Sequence, residues 1–316
     1  MKKLVLILLL YSSVSVKSQD VHFSQFSKST FLLNPSLLSF QQNDYKVILQ
    51  RRSQWESVGE PFVTLTISLE RKDIFPTQSI GVQFLNDIAG DAEFKTTGFN
   101  FSYSKLFKIT KINFLSIAAG VGVFQRTLSF EDLIFSDEEI YENINFWFPE
   151  INLGISNKYW LNKNTTAING ISIFHLNRAK QSLTGDNDVR LNRKINFHSG
   201  LYYPVNKMFL LSPKIFYSTQ DKENEIIFAF DTEYLLRGDK NIILKSGFSY
   251  RWADAIIYNF GAEIDNLDCL ISYDFNTSSL SEATNNKGGF EFSLVYVWDI
   301  KHKEKIVEPK QCPKYL

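Results

Sequence analysis

The sequence predicts an all-β protein: a transmembrane antiparallel β-barrel of about 14 strands, with an N-terminal arm and a short periplasmic C-terminal tail. Three observations predict it: an export signal, a series of segments of about ten residues that alternate apolar and polar side chains, and links between them that alternate in length. No apolar run near 18 residues follows the signal, so the sequence excludes a helical membrane protein.

Residues 1–18 have the pattern of a signal peptide. A basic start is followed by an apolar run over residues 4–10, which is too short for a transmembrane helix. Val16-Lys17-Ser18 offers the modest side chains that a signal peptidase reads, so we expect the mature chain to begin at Gln19. The chain is therefore expected to cross the inner membrane and to reside in the outer membrane.

The segments at either end of the predicted barrel do not alternate. Residues 19–43 are too polar to span a membrane, and they form either a periplasmic arm or a plug folded into the barrel. Residues 300–316, rich in Lys and then containing Pro, are expected to remain in the periplasm as a tail. No Gly/Ser-rich or Pro-rich linker divides residues 44–299, which we interpret as a single barrel domain.

Period-two alternation defines the strands. In the segment ending at Arg251, for example, Leu244 and Phe248 lie on one face while Lys245 and Arg251 lie on the other. Strands are predicted near residues 44–52, 61–71, 78–86, 95–107, 113–126, 148–160, 164–178, 194–204, 206–218, 225–237, 240–251, 254–264, 267–276 and 288–299. An even number of strands returns both termini to one side.

The lengths of the links favour a membrane barrel over a soluble sandwich. Links after even-numbered strands are short, as at residues 204–206, 237–240 and 265–267. Most links after odd-numbered strands are long, as at 127–147, 179–193 and 277–287, with a shorter exception near Trp252. Outer-membrane barrels have short periplasmic turns and long external loops. In a soluble sandwich, by contrast, link length is not expected to differ between odd-numbered and even-numbered strands.

The amino-acid composition argues against nucleic-acid binding and against a disulfide scaffold. The chain has 34 Lys and Arg against 34 Asp and Glu, so it lacks the basic field that nucleic-acid binding requires. The 28 Phe, 14 Tyr and 5 Trp suit strands and a membrane-interface girdle. Two cysteines are too few for a disulfide scaffold, and a bridge between Cys269 and Cys312 is left open.

Motifs of catalysis or metal binding are not recognised in the sequence. The four His residues are scattered, and none falls in a hydrolase, zinc or phosphate-loop context. We therefore expect no enzyme activity, no metal and no organic cofactor. The inward-facing charged residues either line a pore or pair with each other inside a filled barrel; they are Lys245, Arg251, Glu263, Asp274 and Glu291.

Several short motifs together resemble one family. The start of the mature chain, Gln19 to Phe26, is followed by Asn34-Pro35, by Arg52-Ser53-Gln54-Trp55 in the first outer loop, and by Gly81 to Asn86-Asp87 with Gly90 in the second. Near the end stand Ser272 to Asn276, Gly288 to Glu291, and Cys312-Pro313-Lys314-Tyr315. In this order the motifs resemble the PorP/SprF family, outer-membrane proteins of the type IX secretion system.

The resemblance implies an outer-membrane barrel that supports the secretion or surface anchoring of large proteins with a C-terminal sorting domain, such as gliding adhesins. It implies as partners the outer-membrane lipids, a secreted surface protein and other type IX components. The candidate partner-binding or motif residues are Phe23, Gln25, Asn34, Pro35, Arg52, Gln54, Trp55, Asn86, Asp87, Gly90, Tyr273, Asp274, Asn276, Gly288, Gly289, Cys312 and Pro313.

Two alternatives stay open on the sequence. The pairs Asn34-Pro35, Asn86-Asp87 and Gly288-Gly289 suit turns where strands begin or end, and Trp55 suits a girdle, so these residues have a purely structural interpretation. The alternative function is an outer-membrane porin or substrate-specific channel.

Overall fold

Fourteen antiparallel strands close into a barrel in the computed structural model, which describes residues 20–54, 61–90, 94–129, 143–181, 189–236, 242–278 and 287–300. Each strand pairs with its neighbours in sequence, and β1 closes the barrel against β14, from Tyr45 opposite Trp298 to Gln54 opposite Gly289. The strands are β1 Tyr45–Gln54, β2 Phe62–Phe75, β3 Gln78–Ala89, β4 Phe94–Lys108, β5 Asn113–Leu128, β6 Ile144–Trp160, β7 Thr166–Phe174, β8 Lys194–Pro204, β9 Phe209–Gln220, β10 Glu223–Leu236, β11 Ile242–Arg251, β12 Ala255–Ile264, β13 Leu267–Asn276 and β14 Lys287–Trp298.

The distribution of apolar and polar side chains in the barrel is the reverse of that in a soluble protein. Large apolar side chains point outward and remain exposed, such as Phe99 at 55% and Val121 at 57%. Their neighbours in sequence point inward, and many of these are small polar residues that are almost fully buried, such as Ser102 and Ser116. An apolar exterior and a polar interior are what a lipid bilayer demands of a transmembrane barrel.

Strand direction orients the barrel in the membrane. The links after even-numbered strands are short turns such as 265–266, and they lie at the same end as the start of β1 and the end of β14. By the rule for outer-membrane barrels this is the periplasmic end. Aromatic residues mark it, because the rings of Tyr45 and Trp298 stack across the barrel closure with centroids 4.9 Å apart.

Sequence periodicity predicted the number and order of the strands correctly, and their bounds to within a few residues. One placement was wrong: Arg52 and Gln54 lie in β1, and Asn86 and Asp87 lie in β3, rather than in outer loops. Arg52 and Asp87 do not end their strands, because the barrel interior supplies partners for them. Thr64, for example, donates a 2.6 Å hydrogen bond to Asp87.

Residues 20–43, called the lumen segment below, contain two short 3₁₀-helices, Phe26–Lys28 and Pro35–Phe40, separated by one α-helical turn, Thr30–Leu33. Asn34 starts the second 3₁₀-helix, since its side-chain oxygen accepts the N–H of Ser36 at 3.0 Å. Pro35 occupies the first helical position, where its missing N–H costs nothing. Asn34-Pro35 therefore caps a helix, and the interpretation that it begins or ends a strand was wrong.

Among the described residues, no helix is both long enough and apolar enough to cross a membrane.

Candidate functional site: the occupied lumen

The lumen segment runs through the barrel from end to end. At the outer end, the backbone N–H of Asp20 bonds the side chain of Gln220, the last residue of β9. At the periplasmic end, the side-chain amide of Asn43 donates to Asp299, just beyond β14, at 3.1 Å. Between these points the segment contacts strands on all sides of the lumen, so the lumen is occupied by the chain's own N-terminal residues.

A cluster of buried charges holds the outer half of the segment. The cluster, called the outer clamp below, consists of Arg52, Arg251, Asp274 and Glu291. Both guanidinium groups lie within 3.1 Å of the Asp274 carboxylate, and Arg52 also pairs with Glu291. Every member is at most 5% exposed.

The outer clamp grips the lumen segment at two residues. The Ser24 hydroxyl donates to Asp274 at 2.6 Å, and the N–H of Gln25 donates to Glu291 at 2.9 Å. The Gln25 side chain also reaches Ser272 at 3.0 Å and Ser293 at 2.5 Å. Arg251 also pairs with Glu225 and Asp254, and buried charges that compensate one another in this way make the removal of any single member costly.

Asn34 anchors the middle of the segment. It is fully buried, and its amide donates to the carbonyls of Ile155 on β6 and Ile171 on β7, both at 3.1 Å. Gly154 makes room for it, because a Cβ at that position would lie 2.1 Å from the Asn34 side-chain oxygen. Ser36 continues the contact with a 2.6 Å hydrogen bond to Ser156 on β6.

Apolar residues of the segment fill the remaining gaps. Phe26 stacks on Phe216 of β9 with ring centroids 5.2 Å apart. Phe31 and Leu38 are at most 1% exposed and lie over Gly81 of β3, where a Cβ would come within 3.0 Å of both side chains. The hydrophobic core of this protein is thus inside the barrel, between the lumen segment and the wall.

A cavity of about 180 Å³ remains beside the segment, between residues 24–28 and strands β8 to β13. Its lysines are paired with carboxylates: Lys214 lies 2.7 Å from Asp231, and Lys245 lies 2.9 Å from Asp268. Lys28 of the lumen segment also pairs with Asp268. The cavity is therefore polar and close to electrically balanced.

Residues 175–181, which follow β7, lie over part of the outer mouth. Ala179 packs with Leu85, Phe124 and Phe148 on the inner wall. His175 pairs with Asp20 at the start of the lumen segment and lies 3.7 Å from Glu150. Burial lowers the pKa of His175, but the carboxylates of Asp20 and Glu150 more than offset this, so its pKa is raised above 6.5.

The structure brings part of the motif set together. Gln25, Arg52 and Asp274 meet at the outer clamp, and Asn34 and Pro35 lie at the middle anchor. Phe23 is a buried residue of the segment, and Gly288 approaches the Asp274 carbonyl so closely that a Cβ would lie 2.3 Å from it.

Among the remaining described motif residues, the side chain of Gln54 lies beside the guanidinium of Arg52 in the outer clamp. Gln54 pairs with Gly289 across the barrel closure, Tyr273 packs edge-on against Phe275 on β13, and Asn276 ends that strand. Gly90 follows β3 with a φ of 68°, a left-handed conformation that suits glycine. Trp55, Cys312 and Pro313 lie outside the described residues.

Of the inward-facing charges, Lys245, Arg251, Asp274 and Glu291 are paired, and Glu263 pairs with Lys245. Ser36 and Asn196 were missed at the sequence level because they belong to no motif, and Ser24 lies inside the Gln19 to Phe26 motif but was not singled out. Asn196 occupies an inward-facing position in the alternation of β8, so the sequence could have indicated it as a lumen residue. Ser24 and Ser36 lie in an irregular segment, where no local pattern indicates which side chains make contacts. Within the described part of the chain, no group of three or more His, Cys, Asp or Glu residues is arranged to hold a metal.

Comparison with known proteins assigns a family. The family model described as "Type IX secretion system membrane protein PorP/SprF" matches residues 15–296. A search of curated proteins found no match.

Among solved structures, the chain is similar to the CymD monoaromatic hydrocarbon channel, with 12% identity, a TM-score of 0.52, and coverage of 87% of this chain and 94% of that one. It is also similar to the Ralstonia pickettii toluene transporter TbuX, with 10% identity, a TM-score of 0.51, and coverage of 85% and 92%. At these identities the likeness shows the barrel fold alone.

Proposed function

The chain belongs to the PorP/SprF family of type IX secretion system membrane proteins, and we propose that it is the barrel that supports secretion or surface anchoring of a large protein with a C-terminal sorting domain. Gliding adhesins are the class of client that we propose. The observation that carries the proposal is the family match, which includes both the lumen segment and the barrel as far as Tyr296.

The occupied lumen supports an anchoring or docking role over free diffusion of solutes. A porin needs a continuous aqueous path, whereas here residues 20–43 lie along the lumen, and the cavity beside them measures about 180 Å³. A closed barrel with a packed interior is a rigid support for loops that contact a partner chain. The alternative, an outer-membrane porin or substrate-specific channel, gains no support from the similar structures beyond the fold that they share with this chain.

Quantitative mass spectrometry of surface and medium proteins, with and without this gene in the native bacterium, tests the proposal. We expect one or a few large proteins with a sorting domain to disappear from the surface or to appear in the medium. A plasmid copy of the wild-type gene should restore them. Unchanged proteomes, with the barrel verified as absent, would contradict the proposal.

The tail after the last strand is proposed to contact a periplasmic partner. Truncation after Lys301 removes residues beyond β14, so the barrel should assemble normally while client display is lost. Heat-modifiable migration in gel electrophoresis reports assembly, and surface proteomics reports display. If display persists in the truncated strain, the tail has no such role; if the barrel is lost, its role is structural.

A further inference from the structure

Side chains of the barrel wall bind the main chain of the lumen segment at successive positions. At the outer clamp, the carboxylate of Glu291 accepts the backbone N–H groups of both Ser24 and Gln25. A carboxylate that accepts two adjacent N–H groups recognises peptide backbone, whatever side chains those residues carry.

Further in, two wall residues bind backbone carbonyls. The amide of Asn196 donates to the carbonyls of Leu32 at 2.9 Å and Leu33 at 3.2 Å. The hydroxyl of Ser172 donates to the same Leu33 carbonyl at 2.6 Å. Asn196 and Ser172 are at most 1% exposed, so these bonds are shielded from water.

The contact continues toward the periplasmic end. The buried hydroxyl of Ser116 donates to the carbonyl of Ser36 at 2.7 Å. Strands of the closed barrel are paired on both sides and offer no free edge, so the segment is bound through wall side chains rather than by strand addition. Side chains from β5, β7, β8 and β14 thus form hydrogen bonds with the backbone of one irregular peptide.

We propose that the lumen is a peptide-binding site and that the lumen segment is its tethered occupant, which a second peptide can replace. Recognition of main-chain groups tolerates different side chains, while Asn34 supplies a buried polar anchor, with Gly154 leaving the space that it occupies. The ligand class is an unfolded peptide segment of about 20 residues with a small polar anchor near its middle. The inference concerns the barrel itself and does not depend on the identity of a client.

The experiment cuts the covalent link between the lumen segment and the barrel after the full-length protein has folded. A protease site inserted between Gln42 and Asn43, an exposed position before β1, allows the purified barrel to be cut after folding. We expect the fragment from 19 to 42 to remain bound through extensive washing. A fluorescent synthetic peptide of residues 20–40, in excess, should then replace it, and faster in a Glu291→Gln barrel, which has lost the clamp's charge.

Matched peptides test which groups of the peptide determine its affinity for the lumen. N-methylation of the Gln25 backbone nitrogen removes a main-chain donor without altering a side chain, and Asn34→Ala removes the anchor; each should weaken binding at least about tenfold. Ser27→Ala changes an exposed residue whose hydroxyl accepts a 3.3 Å hydrogen bond from Lys214, an amine that Asp231 also binds, and it should leave affinity within about twofold.

Three results would overturn the proposal. The fragment could wash out of the cut wild-type barrel, the labelled peptide could fail to enter either barrel, or all the peptides could bind equally well. Heat-modifiable migration of every cut sample establishes that the barrel is intact before binding is measured.

Discussion

Individual residues inside this barrel have partners that are far away in sequence. Ser24 and Glu291 are 267 positions apart in sequence, yet they are in direct contact. Arg52 sits between Asp274 and Glu291 with 1% exposure. A buried charge of this kind is tolerated only when it is paired, so each of these side chains depends on the others.

Arg52→Ala should therefore destabilise the protein strongly. The change leaves Glu291 and Asp274 buried near each other with less positive charge, which costs about 3–5 kcal/mol in comparable clusters. Arg51→Ala is the matched control, because Arg51 is exposed on the opposite face of the same strand. Urea unfolding in lipid vesicles measures both; equal effects would contradict the clamp.

Gly154→Ala should dislodge the middle anchor while sparing the barrel. The new Cβ would lie 2.1 Å from the Asn34 side-chain oxygen, so the lumen segment must move. Gly200→Ala is the control, since its nearest neighbour is the flexible Lys214 side chain at 3.3 Å. Limited proteolysis should cut the lumen segment faster in Gly154→Ala only; similar rates in the two variants would refute the anchor.

The pairing of His175 with Asp20 should make the outer end sensitive to pH. The raised pKa of His175 means that its stabilising contribution is fully present below pH 6.5 and is lost as pH rises through the higher folded-state pKa. The pKa of Asp20 is lowered by His175, although burial acts against this, so its contribution is lost in acid below its ordinary value of 3.8.

Thermal unfolding from pH 5 to 9 measures the effect of His175. The stability difference between wild type and His175→Asn should be largest near pH 5 and should shrink toward pH 9, since Asp20, whose pKa is lowered, remains ionised throughout this range. Asp20→Asn should show the same trend, and the double variant should add little. A difference that grows with pH would reverse the sign and refute the ion pair.

At the scale of elements, each strand has one face toward the lipid and one face toward the lumen. On β4, Phe101 and Phe107 both face outward, Phe101 near the middle of the strand and Phe107 at its periplasmic end. The same outward position therefore has different surroundings depending on depth.

Phe101→Arg should cost about 2–4 kcal/mol, as for a charge near the bilayer midplane, whereas Phe107→Arg should cost about 0–1 kcal/mol near the interface. The two variants share strand, residue type and substitution, so depth is the variable. Unfolding free energy in bilayers measures it. If the two costs were equal, the hydrocarbon layer would not be centred on the strands as the exposed residues indicate.

The molecule as a whole combines a lipid-facing barrel with an interior filled by its own N-terminal segment. Closure of fourteen strands leaves no edge for pairing, and the lumen segment takes the place that water occupies in a porin. The arrangement has a direct electrical consequence.

Wild-type protein in planar bilayers should be nearly silent, because the lumen segment obstructs the aqueous path. A chain lacking residues 20–40 should give stable conductance steps, provided that it migrates as an assembled barrel. The cut barrel stripped of its fragment is a second test that does not depend on folding without the segment. Large steps from intact wild type would favour the channel alternative.

The sequence by itself determined the barrel: the number and order of its strands, their inner and outer faces, and the end at which both termini lie. These features are local, since period two and link length are read within a dozen residues of any position. Membership of the family was also legible, because the motifs from Phe23 to Gly289 occur in order along the chain.

Only the tertiary structure decided where residues 20–43 lie and which inward side chains meet them. An irregular segment has no period, and the partners of Ser24, Asn34 and Ser36 come from strands far away in sequence. Which residues face each other across the lumen follows from strand register and from the tilt that closes the barrel. These are properties of the whole sheet, so no local pattern encodes them.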